Sequence, residues 1–324
     1  MGTPINVQDK QNSDYVHSVI SMNELLTHRY FSPWLHLDIL FKFSPTRRAM
    51  KKHLKLLNDF ADKVIEERRV YLQNLKKENG NVMNGKVFGE RRRLAFLDLL
   101  LDAESQGMDH MTQKDIRDQV STVMFEGYDT VSTATGWALF LIGSYPDIQC
   151  RVLEELEEIF GDSGRAPEMT DLTNLKYLER CIKESLRLYP SVAFFERRAK
   201  ENAALENYIV PAGCTITFNG YLLHRNPEFW PDPEKFDPDR FLPENSQGRH
   251  PYAYVPFSAG PRNCIGNVRQ QRDAMQSDSE VLCVAGQKFA LLEEKVVVST
   301  VLRRFRVEAA HSREEAQLQV NIDI

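Results

Sequence analysis

The chain has 324 residues, 42% of them hydrophobic and 27% charged, an ordinary globular composition with length enough for a large core. Its formal net charge of -5 gives no reason to expect a nucleic-acid partner. Its five cysteines (Cys150, Cys181, Cys214, Cys264, Cys283) form no CxxC pair, which argues against a disulfide framework or a zinc site and for a reducing compartment.

In chain order, the opening "MGTPINVQDKQNSDY" is polar and is not a signal peptide. Val16 to Leu26 and Lys51 to Leu75 carry apolar residues at helical spacing among many charges. Lys76 to Arg93 is a Gly/Asn/Lys-rich loop, and Phe96 to Ala103 a short apolar helix. A long helix is expected from Thr112, an N-cap with Asp115 at the capping-box position, to about Ser144. Within it, Trp137 to Gly143 is the longest apolar run, far short of the roughly 20 residues that cross a bilayer. As written, the chain is expected neither to span a membrane nor to enter the secretory lumen.

Pro146 fits the first turn of the next helix, and a third covers Asn174 to Leu188, stopping before Pro190. Two β-branched runs then flank Pro211-Ala212-Gly213 and predict a hairpin. His224 to Asn245 is a proline-punctuated meander. Leu292 to Phe305 reads as helix, with Arg304 to Ala309 and Leu318 to Ile324 as closing strands. The fold class is mainly α with a small β part near the C-terminus.

Cys264 carries the chemistry. The commonest fate of a cysteine outside a disulfide is burial as a small apolar residue. Here it sits in "FSAGPRNCIG", where Gly260, Pro261 and Gly266 are turn formers that expose backbone N–H groups and Arg262 adds positive charge. Such surroundings stabilise a thiolate, the ligand that pushes electron density onto haem iron and favours O–O cleavage.

At every fixed position this segment resembles F-x-x-G-x-R-x-C-x-G, the haem-ligand loop of the cytochrome P-450 monooxygenases. The resemblance implies a cytochrome P-450 fold, a single catalytic domain over 1–324 that is incomplete at its N-terminus, with haem b as cofactor. Cys264 is then the axial thiolate, Arg262 contacts a haem propionate, and Phe257, Gly260 and Gly266 join them as cofactor-binding residues of the loop. Upstream, "ESLR" supplies Glu184 and Arg187, three apart on one helix face, and "FDPDRF" resembles the family's P-E-R-F segment, with Asp239 replacing Glu and Arg240 completing a buried network. Taken alone, the Glu184–Arg187 pair reads equally as a surface ion pair worth about 0–1 kcal/mol. Arg197 occupies a position where the family often reaches a propionate; Arg198 is adjacent, and the sequence does not separate the two.

"FEGYDTVSTATGW" sits badly in a helix interior, where Gly is costly and Ser or Thr bond back to carbonyls. It reads either as an imperfect core helix or, with the cysteine loop, as the family's oxygen-activation groove. There Thr130 holds the oxygen ligand or its water and Asp129 relays protons. Glu126 in "FEGxDT" resembles the family 4 branch, the fatty-acid ω-hydroxylases and relatives, where this Glu commonly forms an ester with a haem methyl; the other reading is a Glu facing solvent or pairing locally.

Two departures stand out. The resemblance begins partway into the fold, so the family's membrane anchor, first strands and much of its substrate-contacting region are expected to be missing. In the branch, "CIG" runs directly into "QKFALLEEK", whereas Asn267 to Gly286 intervenes here. This insert reads as an intron translated in frame, or else as a surface loop. The resemblance implies fatty acids or similar lipids as substrates, an NADPH-dependent reductase docking through Lys288, Lys295, Arg303 and Arg304, and the cytosolic face of the endoplasmic reticulum membrane. The alternative for this chain is an inactive fragment, or a haem-binding protein without turnover.

Overall fold

A computed structural model describes residues 1–3, 13–79, 86–87, 90–91, 95–107, 111–260, 262–264 and 286–316. The described residues up to Glu126 form one compact unit, and those from Gly127 onward form another.

In the first unit, α1 (Ser13–Tyr30) is followed by a 3-10 turn (Pro33–His36), α2 (Asp38–Phe43) and the long α3 (Pro45–Asn79). A two-residue pair, β1 (Lys86–Val87) and β2 (Glu90–Arg91), precedes α4 (Phe96–Ser105) and the first part of α5 (Gln113–Ser144). Apolar residues at three- and four-residue spacing make the core: Tyr15, Val19 and Met22 on α1, Ala61, Val64 and Ile65 on α3, Ile116, Val120 and Met124 on α5. Arg68 clamps Asp98 with two hydrogen bonds of 2.6 and 2.7 Å, tying α3 to α4. The expected capping box starts α5: the Asp115 carboxylate accepts the Thr112 N–H at 2.9 Å, and the Thr112 hydroxyl accepts the Asp115 N–H at 3.2 Å.

The second unit contains the rest of α5, then α6 (Pro146–Phe160), α7 (Met169–Asn174) and α8 (Lys176–Leu188). Strands β3 (Phe194–Arg198), β4 (Ala203–Leu205), β5 (Tyr208–Val210) and β6 (Thr215–Asn219) follow. Next come α9 (Gly220–Leu223), the meander with its 3-10 turns and α10 (Pro243–Ser246), and finally α11 (Gly286–Leu302). One apolar cluster joins Ala138, Leu141 and Ile142 of α5, Val152, Leu156 and Phe160 of α6, Leu178, Cys181 and Ile182 of α8, and Val298 and Leu302 of α11. The predominance of helix over strand agrees with the class expected from the sequence.

Three expectations are corrected. The runs flanking Pro211 do not pair with each other. β5 pairs antiparallel with β4, and β6 with β3, each run finding its partner upstream. The Gly213 N–H donates to the Ala199 carbonyl at 2.8 Å and the Ala199 N–H to the Cys214 carbonyl at 2.9 Å, so the chain at 211–214 extends the β3–β6 ladder instead of closing a hairpin. Arg304 to Ala309 is not a strand. Gln149 of α6 takes up its backbone, accepting the Val307 N–H at 3.0 Å and donating to the Val307 carbonyl at 2.7 Å. Ala309 donates to the Gly143 carbonyl at 3.4 Å, so helix ends supply the partners that a sheet would have. Lys295 is no docking residue: it is buried, donating to the Leu172 carbonyl at 2.7 Å and to Glu179 at 2.5 Å. The expected strand at Leu318 to Ile324, and residues 267–285 of the expected insert, lie outside the described residues.

Candidate active site

The loop from Phe257 to Cys264 closes on itself. Ser258 and Gly260 take positive φ values of 60° and 82°. Gly tolerates that conformation at no steric cost, which explains its place in the motif. The Ser258 N–H donates to Val255, the Asn263 N–H to Gly260, and the Cys264 N–H returns to the Phe257 carbonyl at 3.0 Å. Phe257 packs against the apolar cluster of the unit. Cys264 is left half-buried and Arg262 exposed. Gly266 lies outside the described residues.

A second element holds this loop. Arg197, on β3, donates through Nη2 to the Ser258 hydroxyl at 2.9 Å and to the Arg262 carbonyl at 2.8 Å. Its Nη1 donates to the Glu196 carbonyl at 2.8 Å. A guanidinium carries five N–H donors, and two of these have no acceptor among the described residues. Arg198 is exposed on the other side of the strand, because successive side chains of a strand point to opposite faces. The two arginines that the sequence left equivalent are thereby distinguished.

Beneath the loop lies the charge network. Glu184 and Arg187 of α8 are both 0% exposed. Arg187 donates Nε and Nη2 to the two carboxylate oxygens at 2.7 and 2.8 Å, and spends its other donors on the carbonyls of His224, Pro233 and Lys235. Glu184 also accepts the Asp237 N–H at 2.9 Å and lies 3.3 Å from Arg240 Nε. Burial pushes the Glu184 carboxyl up, while Arg187, the Asp237 N–H and Arg240 pull it the other way. A meander without periodicity is thus pinned by its carbonyls to one buried arginine.

His224 connects this network to the loop, and no motif in the sequence singled it out. It is fully buried; its carbonyl accepts from Arg187, and its Nε2 accepts the Val255 N–H at 2.9 Å. Val255 in turn accepts from Ser258. Burial depresses the His224 imidazole to about 4, so it is neutral at ordinary pH and free to accept at Nε2. Trp230 and Tyr254 brace the same layer: the indole donates to the Ala253 carbonyl at 3.2 Å, and the phenol to the Lys183 carbonyl at 2.8 Å. The signal was faint, a histidine and a tryptophan in a polar, proline-rich stretch.

α5 stays α-helical through its polar stretch. The Thr130 carbonyl accepts the Ser191 hydroxyl at 2.8 Å, and Ser132 donates back to the Asp129 carbonyl at 3.0 Å. Asp129 and Thr130 are half-buried. Among the described residues nothing lies within 4 Å of where a Cβ would stand at Gly127 or at Gly136, two positions nine residues apart and so on opposite faces of α5. Glu126 is exposed and belongs to the first unit.

A family model described as Cytochrome P450 matches residues 1–268. Cytochrome P450 4c21 of Blattella germanica is 44% identical over 322 residues, which are 99% of this chain and 60% of that protein. Cytochrome P450 4c3 of Drosophila melanogaster is 44% identical over 324 residues, 98% of this chain and 57% of that protein. Cytochrome P450 4V2 of Homo sapiens is 42% identical over 319 residues, again 98% and 57%. The chain therefore spans less than two thirds of the length of these relatives. Among solved structures, the cytochrome P450DA heme domain aligns with a TM-score of 0.65 at 23% identity, covering 89% of this chain and 54% of that one. A mutant of it aligns at 0.73 and 22%, covering 99% and 60%. At that identity the likeness establishes the fold.

Proposed function

The chain belongs to the cytochrome P450 family, in its family 4 branch, and on that premise we propose that the protein it represents is a haem-thiolate monooxygenase. It places one oxygen atom of dioxygen into a C–H bond of a fatty acid or related lipid, with electrons from an NADPH-dependent reductase. The carrying observation is the self-closed loop that presents Cys264, braced from β3 by Arg197.

The residues present fit haem b. A half-buried sulfur, two arginines suited to propionates and an apolar Phe257 lie on or against one loop. Bound there, haem would supply dioxygen activation, with the thiolate favouring O–O cleavage. Cys264 acts as thiolate, the form that ligates metal. Arg197 and Arg262 orient carboxylates. Asp129 would relay protons towards the Thr130 hydroxyl, and Thr130 would hold a water in place. Glu126, exposed on α5, is the residue for an ester to a haem methyl; extraction of haem by acid solvent after turnover reads that bond directly. Of the cations expected to meet a reductase, Lys288 and Arg304 are exposed. We place the protein on the cytosolic face of the endoplasmic reticulum membrane; among the described residues no helix is long and apolar enough to cross one. Residues 267–286 are proposed as a non-native insert, which a mature transcript lacking their codons would establish.

The test is spectroscopic. The haem-loaded chain, reduced and exposed to carbon monoxide, is expected to give the Soret shift particular to thiolate ligation, and Cys264→Ser to lose it. A histidine-type spectrum in the wild-type chain, or an unchanged spectrum in the variant, overturns the assignment.

A further inference from the structure

α11 carries two adjacent glutamates, Glu293 and Glu294, that the candidate site does not use. Glu294 is 1% exposed and Glu293 half-buried. One carboxyl oxygen of each, Oε2, is shut off from solvent and has no hydrogen-bond partner among the described residues. An ionised carboxylate taken out of water is costly unless a cation or N–H donors meet it; without them the group keeps its proton.

The cations that could meet it are engaged elsewhere. On α11 itself, Lys295 donates to Glu179 and to the Leu172 carbonyl. At the two ends of the helix Lys288 is exposed, and Arg303 donates to the Ser163 and Arg165 carbonyls. From α8, Lys183 lies 2.7 Å from Glu179 and Arg180 3.5 Å from Asp239. Arg187 and Arg240 both lie against Glu184. From α6, Arg151 binds Asp239, while Glu155 accepts the Tyr177 and Leu178 N–H groups. From α7, Asp171 is held by Arg165. The second half of α5 meets α11 through apolar side chains of their common cluster. Tyr254, beyond the meander, donates its phenol to the Lys183 carbonyl at 2.8 Å. None of these bonds reaches Glu293 or Glu294. The titratable groups whose charge is felt at Glu294 are its neighbour Glu293 and the Tyr254 phenol, both acids. Burial, and Glu293 beside it, push the Glu294 carboxyl up to about 8. Burial pushes Glu293 up as well, and burial with Glu294 nearby does the same to Tyr254. All three shifts have one sign, that of a layer that disfavours negative charge.

We propose that Glu294 is a buried, neutral carboxylic acid at ordinary pH and the trigger of an alkaline switch: loss of its proton to solvent leaves an unpaired charge in the core beside Glu293, and α11 loosens from α8. The inference is independent of the haem chemistry proposed above.

Linkage fixes the direction. Below the ordinary value of 4.5 the folded and unfolded chains both hold the proton. From there up to about 8 the unfolded chain releases it and the folded chain keeps it, so the folding constant falls by about tenfold per pH unit. Above about 8 both have lost it and the effect levels off.

The full chain, loaded with haem, is titrated while its infrared spectrum is followed. A protonated-carboxyl carbonyl component is expected to persist at neutral pH, to vanish with a midpoint near about 8, and to be missing in Glu294→Gln. In urea unfolding, Glu294→Gln is expected to gain on the wild type by about tenfold in folding constant per pH unit between about 5 and about 8. Glu294→Leu also removes the titrating group and is expected to show the same slope, whatever constant offset its packing adds. Amide exchange of α11, corrected for the intrinsic rate, is expected to quicken about tenfold above about pH 8 in the wild type and in neither variant. A wild-type spectrum with no protonated-carboxyl component at neutral pH overturns the proposal by itself, even where neither variant folds. So does a stability difference between wild type and variant that does not change with pH. Exchange of α11 that is the same on both sides of the titration overturns the switch. The carbon monoxide spectrum of the same preparation reads the haem assignment separately, so either reading can fail while the other stands.

Discussion

The layer beneath the cysteine loop and the loop itself solve opposite problems. In the lower layer, Arg187 and Glu184 are wholly buried and their charged atoms are matched to each other, to three carbonyls and to a backbone N–H. In the loop, the hydrogen bonds are made by backbone and by one arginine from β3, while the Cys264 and Arg262 side chains are left partly or fully accessible. Buried charge specifies position because any displacement leaves a group unpaired. The two layers are joined by His224, whose carbonyl belongs to one and whose ring nitrogen serves the other.

Breaking the lower layer should have the largest effect. Arg187→Ala leaves Glu184 buried without its main partner and is expected to cost about 3–5 kcal/mol in denaturant unfolding. A loss below about 1 kcal/mol would mean the network is not structural. The joint comes next and is read through pH. His224 binds a proton less readily folded, at about 4, than unfolded, near 6.5, so the unfolded chain takes up the proton first as pH falls. Its contribution is complete above about 6.5 and is lost between there and 4, on the order of 3 kcal/mol at most. A stability profile flat across that window, or one with the same slope in His224→Gln, would show that the imidazole titrates normally.

Smaller effects sharpen the upper layer. Arg197→Ala removes donors to Ser258 and Arg262 and is expected to cost about 1–3 kcal/mol, read chiefly as weaker haem retention. Arg197→Lys should recover only part of this, because an ammonium does not reproduce the planar fork. Arg198→Ala, one residue away on the exposed face, is expected to stay within about 0.5 kcal/mol on both measures. Equal effects at the two positions would erase the distinction drawn from the strand.

Much of this architecture is legible locally. The Thr112–Asp115 box announces α5, Pro146 opens α6, and Tyr189-Pro190 closes α8, because capping and proline sterics act within a turn of the chain. The Glu184–Arg187 spacing likewise places two charges on one helical face. What was missed is non-local. β5 and β6 are neighbours in sequence yet pair with β4 and β3. Arg304 to Ala309 has the look of a strand but meets the amide of Gln149 instead of a sheet edge.

The sequence by itself determined the family, through the spacing around Cys264, and the longer helices, through periodicity and capping, because these depend on residues within a turn or two of one another. Only the tertiary structure decided which strand each β run joins, which of two adjacent arginines reaches the loop, that Lys295 is buried, and that His224 links the charge network to the cysteine loop. Those outcomes depend on which distant backbone groups come within hydrogen-bonding distance, and no local pattern encodes that.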